Sequence, residues 1–315
     1  MPDPALNLSG SICALATPFR CAGDALDLEA YARLIDRQLD GGTRGLVVAG
    51  STGEGAALEG DEFIVLLEHA VRQAAGRIAV LAGTGQQSTR KTIAQTRRAA
   101  ASGANAALVV TPSYVRPTQE GLYRHFCEIA EHGGLPVMLY NVPSRTACDL
   151  SPETVARLCR QADVIGIKEA VPASERMRAL LALRNERFQV FSGDDPTCAR
   201  AIAAGADGVI SVAANVAPAA MQALCESAAR RDGSADVLDR DLQPLYELLG
   251  VEPNPIPVKW CLHRLGIGEA QPRLPLTPLS AHHHARVDQV LAMSGLLEPA
   301  RAAVQPATTT TEPCS

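Results

Sequence analysis

Apolar residues along this chain fall into two kinds of pattern, and the two alternate. Short runs without polar alternation occur at 11–16, 45–50, 78–83, 106–111, 135–140, 164–168, 188–192 and 208–212. Such runs are expected of parallel strands covered on both faces. Between them lie stretches with helical spacing. Residues 28–40 place Leu34, Ile35 and Leu39 on one face, and 88–102 begins at Ser88, a residue type suited to an N-cap. Ser151 followed by Pro152 reads as a cap with proline at the first helical position. Gly41, Gly42, Gly103, Gly133, Gly134 and Gly205 fall where helices should stop.

Eight strand–helix units in this order predict an α/β fold, a (β/α)₈ TIM barrel. The barrel with its catalytic site should occupy 1–231. Segments 236–250, 257–265 and 281–293 read as further helices with no strand between them, giving a helical C-terminal extension over 232–300. Residues 301–315, with four consecutive threonines, read as a disordered tail.

Composition narrows the class of protein. Of the 315 residues, 47% are hydrophobic and 3% aromatic, which favours helix–strand packing over an aromatic-rich β-sandwich. Net charge is −5, with acids and bases interspersed and no basic stripe, so nucleic acid is not an expected partner. The nine cysteines include no CxxC pair and mostly lie in apolar segments, which fits a reduced cytoplasm better than a disulfide framework. Met1-Pro2-Asp3-Pro4 does not start a signal-peptide pattern, and no apolar run is long enough to span a bilayer. A cytoplasmic protein without a membrane partner is expected.

Lysine usage changes the picture most. Three of the 29 basic residues are lysines: Lys91, Lys168 and Lys259. Arginine cannot lose its proton in a protein, whereas a desolvated lysine can become a neutral amine and form a Schiff base with a ketone. Lys168 ends the apolar run Val164-Ile165-Gly166-Ile167-Lys168. The competing reading is an ordinary strand-end lysine paired with Glu169.

In a barrel of this kind the site lies at the C-terminal strand ends. Strand two ends in Gly50-Ser51-Thr52-Gly53-Glu54-Gly55, whose amides and hydroxyls could grip a small carboxylate. By itself that is a common turn composition. Strand four ends in Thr111-Pro112-Ser113-Tyr114. Strand five ends in Tyr140-Asn141-Val142-Pro143-Ser144-Arg145-Thr146, which puts Tyr140 beside Lys168. A phenol there can shuttle protons, although a satisfied core tyrosine is the commoner case. Arg145, on the following loop, could hold a carboxylate or make a surface ion pair. After strand eight, Gly208-Val209-Ile210-Ser211 approaches the mouth. Metal chemistry is not expected. His282-His283-His284 cannot converge as an i, i+4 pair, and His69, His125, His132 and His263 read as scattered and solvated. Glu54, Glu169, Asp194 and Asp195 read as loop-orienting acids.

Together these blocks resemble the 4-hydroxy-tetrahydrodipicolinate synthase family, within the N-acetylneuraminate lyase superfamily. Asn254-Pro255-Ile256-Pro257-Val258-Lys259-Trp260 adds to the likeness, which extends over 8–296. The resemblance implies a lyase that condenses pyruvate with L-aspartate 4-semialdehyde in lysine and diaminopimelate biosynthesis. It implies a covalent Schiff base through Lys168 and no other cofactor. Tyr140, Ser51 and Tyr114 would form a proton relay, with Tyr114 entering from a neighbouring subunit of a homotetramer, a dimer of dimers. Thr52 with adjacent backbone would hold the pyruvate carboxylate, Arg145 the semialdehyde carboxylate, and Ile210 would line the substrate site. The sibling alternative joins pyruvate to a sugar acid or another aldehyde. Arg145 in its Asn-Val-Pro-Ser-Arg setting favours the synthase. Two departures stand out. Many synthases have threonine at Ser51, but serine keeps the hydroxyl. The positions matching the lysine-feedback site are Gly55, Gly60, Phe63, Gln87, Lys91 and Ser113, and none keeps the residue type of lysine-sensitive enzymes.

Overall fold

A computed structural model of the chain describes Leu6 and residues 8–297. The expected tail at 301–315 lies outside the described residues. The strands are β1 (Gly10–Ala14), β2 (Phe19–Arg20), β3 (Ala25–Leu26), β4 (Gly45–Val48), β5 (Ala79–Gly83), β6 (Ala106–Val110), β7 (Val137–Asn141), β8 (Val164–Glu169), β9 (Gln189–Ser192) and β10 (Gly208–Ser211). Among the described residues, β1 and β4–β10 close into one eight-stranded barrel, and each neighbouring pair is parallel. Each apolar run foreseen from the sequence supplies one barrel strand. The antiparallel β2–β3 hairpin was not foreseen. Its two-residue strands are too short to show a period.

The helices are α1 (Leu28–Asp40), α2 (Gly60–Ala74), α3 (Thr89–Ala101), α4 (Gln119–His132), α5 (Pro143–Thr146), α6 (Pro152–Leu158), α7 (Ser174–Leu181), α8 (Cys198–Ala203), α9 (Pro218–Arg230), α10 (Ala235–Leu249), α11 (Ile256–Arg264) and α12 (His284–Met293). Local chemistry sets several of their starts. Asp27 accepts the Ala30 amide at 2.9 Å to open α1, and Ser151 accepts that of Thr154 at 3.3 Å to open α6. Ser88 does stand at the N-cap of α3, but its side chain makes no capping bond. Leu34 and Ile35 are fully buried against the sheet, each contributing roughly 1.5–3 kcal/mol of burial to α1.

Period-2 alternation along the strands divides the core in two. One set, including Leu46, Val48, Leu139 and Ile167, faces the helices. The other faces the barrel axis: Ile12, Val47, Leu81, Leu108, Met138, Tyr140, Phe191 and Ile210. After α9, which Arg231 ends in a left-handed conformation, α10–α12 follow with no described strand between them. Five of the eight described cysteines are buried, and all eight are free thiols. No helix among the described residues is long and apolar enough to cross a membrane.

Candidate active site

The β7–β8 register pairs Tyr140 with Lys168, and that of β8–β9 pairs Lys168 with Phe191. Lys168 is 5% exposed, with its Nζ 4.4 Å from the centroid of the Tyr140 ring. It makes no ion pair among the described residues, so the paired-lysine reading fails. Strand alternation explains why. Glu169 points to the opposite face, where its carboxylate accepts from the Val171 amide at 2.8 Å, Arg176 Nε at 3.1 Å and Asn141 Nδ2 at 3.1 Å. Burial pushes the Glu169 carboxyl up from its ordinary value, with the Val171 amide and Arg176 opposing. Space for the amine depends on Gly193, where a Cβ would lie 3.0 Å from both Cγ and Cε of Lys168.

At the C-terminal strand ends opens a cavity of about 500 Å³. Ser51, Tyr140, Val142, Arg145 and Asn254 are among the residues that line it. Lys168 does not line it, but its ring neighbour Tyr140 does. A larger hollow of about 810 Å³ lies beside Leu8, Arg44 and Arg77, near the N-terminal strand ends. None of the candidate residues lines that hollow, and sites of this fold lie at the other end.

Arg145 stands on α5, a short helix rather than a loop, and is exposed at the mouth. Its Nη2 donates to the Asn254 carbonyl at 3.2 Å. Asn254 Nδ2 in turn donates to Thr52 Oγ1 at 3.0 Å. Thr52 is 3% exposed, behind the cavity lining, and its hydroxyl keeps a hydrogen to donate. Ser51 is exposed in the cavity. Ile210 is buried in the barrel interior with Tyr140. Tyr114 does not join these residues within one chain. It has φ 71° and is 90% exposed, projecting from the loop after β6.

The acids act as loop-orienting groups. Asp195 accepts the amides of Val212 at 3.0 Å and Ala213 at 2.8 Å, and burial pushes its carboxyl up. Among the described residues no group of three or more His, Cys, Asp or Glu could hold a metal ion. His125 departs from the expectation of a solvated ring. It is 5% exposed, with Nδ1 2.9 Å from Thr89 Oγ1, and burial pushes it down to about 4.

Lys259 is the functional candidate that sequence reasoning missed. It is 2% exposed and ion-paired to Glu54 at 2.6 Å. The available signal was the same lysine scarcity that singled out Lys168. Its partner lies 205 positions away, beyond the reach of local patterns.

Comparisons with known proteins agree on one family. The model of the Dihydrodipicolinate synthetase family matches residues 7–294. A 4-hydroxy-tetrahydrodipicolinate synthase of Stenotrophomonas maltophilia strain K279a is 57% identical over 294 residues, covering 93% of this chain and 98% of the relative. The enzyme of that name from Pseudomonas aeruginosa PAO1 is 46% identical over 291 residues, covering 92% and 99%. Among solved structures, a chloride-inhibited dihydrodipicolinate synthase from Acinetobacter baumannii complexed with pyruvate aligns with a TM-score of 0.90 at 42% identity, covering 92% of this chain and 99% of that one. The Thermotoga maritima enzyme aligns at 0.89 and 41%, covering 92% and 100%.

Proposed function

The chain belongs to the dihydrodipicolinate synthetase family, and from that premise we propose that it is a 4-hydroxy-tetrahydrodipicolinate synthase acting on pyruvate and L-aspartate 4-semialdehyde. The observation that carries this reading is Lys168, buried and without an ion pair among the described residues, set beside Tyr140, which lines a cavity also lined by Arg145. The names of the relatives favour this substrate pair over the sugar-acid alternative.

The chemistry follows from the residues. The neutral Lys168 amine adds to the pyruvate ketone, and loss of water gives the imine. A proton leaves the methyl carbon to form an enamine. That carbon attacks the aldehyde of the semialdehyde and forms the new C–C bond. The semialdehyde's own amine then attacks the imine carbon and displaces Lys168, closing the ring and restoring the free lysine. Water and protons must move at several of these steps. Tyr140 is beside the amine, Ser51 supplies a hydroxyl in the cavity, and Tyr114 would reach the site of a neighbouring copy. No metal or organic cofactor is needed, because the protonated imine is itself the electron sink.

The Gly50–Gly55 loop would receive the pyruvate carboxylate through its backbone and Ser51. Thr52 would fix the loop through Asn254. Arg145, already oriented by the Asn254 carbonyl, would take the semialdehyde carboxylate. A tetramer in the cytoplasm completes the reading, and the exposure of Tyr114 favours an assembly that covers it. The test is borohydride reduction with pyruvate, then peptide mass analysis. A pyruvate-derived mass on the peptide holding Lys168 is expected. Label on Lys259 or Lys91 instead refutes the assignment.

A further inference from the structure

The substrate loop is joined to the C-terminal extension by charge. Glu54 stands in this loop with φ 54°, a left-handed conformation that L side chains seldom adopt. Its carboxylate is held at both oxygens from the extension. Oε1 accepts from Lys259 Nζ at 2.6 Å and Oε2 from the Arg273 amide at 2.8 Å. Lys259 Nζ also donates to the Thr17 carbonyl at 3.0 Å, and the Thr17 hydroxyl donates to the Gly53 carbonyl at 2.7 Å. Both cations lie over the Phe19 ring, at 4.1 Å for Lys259 and 4.4 Å for Arg273. The loop after β4 is therefore bonded to the segment after β1, to α11 and to the segment beyond α11.

A buried ion pair of this kind gives little net stability, since desolvation offsets most of its attraction. What it supplies is direction. Two donors on two carboxylate oxygens leave the loop little freedom to rotate or slide. The loop also has little steric room, because a Cβ at Gly55 would lie 2.0 Å from the Ala49 carbonyl oxygen. Lys259 cannot replace Lys168 as nucleophile, since its amine is tied to two oxygens. Burial pushes the Lys259 ammonium down to about 8, against the pull of Glu54.

We propose that the Lys259–Glu54 pair is a positioning device through which the extension sets the affinity of the substrate loop for the keto-acid carboxylate. Glu54 and Lys259 are then positioning residues, acting through the amides and hydroxyl of 51–53. This rests on the reading above that the loop receives that carboxylate.

The test is initial-rate kinetics with pyruvate varied at saturating semialdehyde. The variants are Lys259→Met, Glu54→Gln, their double combination, Ser51→Ala and Asp288→Asn. Asp288→Asn weakens an exposed extension ion pair with Arg264 and controls for general loosening. Far-UV circular dichroism and thermal melting establish that each variant is folded. Lys259→Met and Glu54→Gln should raise the pyruvate KM about tenfold or more while kcat falls less than threefold. Borohydride at saturating pyruvate should still label Lys168. The double variant should lie closer to wild type than either single one, because no charge is left buried alone. Asp288→Asn should leave the pyruvate KM unchanged. A pyruvate KM within twofold of wild type in folded Lys259→Met or Glu54→Gln overturns the proposal. If Ser51→Ala raises that KM while those two do not, only the clamp fails. If none of the three raises it, the loop reading fails and takes the clamp with it. Should Lys259→Met not fold, Glu54→Gln, which retains an acceptor for the Arg273 amide, decides the matter.

Discussion

Two buried lysines lie in two parts of this molecule, and their surroundings are opposite. Lys168 is inside the barrel against the Tyr140 ring, with no ion pair among the described residues. Lys259 is in the extension, in contact with a carboxylate, a backbone carbonyl and the Phe19 ring. Burial is nearly the same, at 5% and 2% exposed. Under the proposed function, what separates the reactive amine from the structural one is a directly bonded carboxylate. The amine of Lys259 is committed to Glu54 and the Thr17 carbonyl, while that of Lys168 makes no ion pair among the described residues.

The largest effect should come from breaking the reactive side. Lys168→Arg keeps the charge but cannot form the imine, so turnover should all but vanish in a semialdehyde-dependent assay. Borohydride with pyruvate should then add no mass.

Stability sharpens the contrast next. Lys259→Met leaves Glu54 buried without its cation and should cost about 3–5 kcal/mol. Lys168→Met removes a buried amine that makes no ion pair among the described residues and should leave stability unchanged or raised. Urea unfolding of both variants measures this, and equal losses would mean that the partner does not matter.

A third arm concerns a charge at the mouth. Arg145→Ala should weaken semialdehyde kcat/KM by roughly 1.5–3 kcal/mol, the range of a hydrogen bond to a charged group. The exposure of Arg145 argues against the larger cost of a fully desolvated pair. Pyruvate trapping should be much less affected, and an unchanged semialdehyde response would reject the assignment.

His125 extends the rule to a third buried base. Its folded value of about 4 lies below the ordinary 6.5, so the unfolded chain binds more protons between those values. Its contribution to stability is complete above about 6.5 and is lost as pH falls toward about 4. Subtracting the stability–pH curve of His125→Gln should isolate that loss. A flat difference curve would show that the ring titrates normally.

The smallest expected effect is none. Millimolar L-lysine should barely change initial rates. Gly55 and Gly60 offer no side-chain partner, Phe63 is apolar, and Lys91 puts a cation where the inhibitor's ammonium needs an acid. Saturable inhibition below millimolar lysine would reveal a site built from other residues.

The barrel was legible because its strands are unbroken apolar runs and its helices carry their own stops. Tyr140 and Lys168 were legible as neighbours because consecutive parallel strands place their ends together. Lys259 and His125 were not. Pro257-Val258-Lys259-Trp260 reads as any helix start, and its burial depends on Glu54 in a distant loop. His125 is buried by packing between α3 and α4, and nothing in its local pattern announces Thr89 as a partner. The resemblance implies a substrate role for Thr52, and the bond its hydroxyl accepts from Asn254 had no signal in the local pattern. A side chain's hydrogen-bond partner is decided by tertiary geometry, which periodicity does not encode.

With Lys168 and Lys259 both enclosed, Lys91 on α3 is left as the one exposed lysine side chain. For conjugation chemistry this makes the chain nearly monovalent. An activated ester that cannot enter the barrel would find one lysine side chain to acylate, so with the α-amine blocked a fluorophore would sit at a single address.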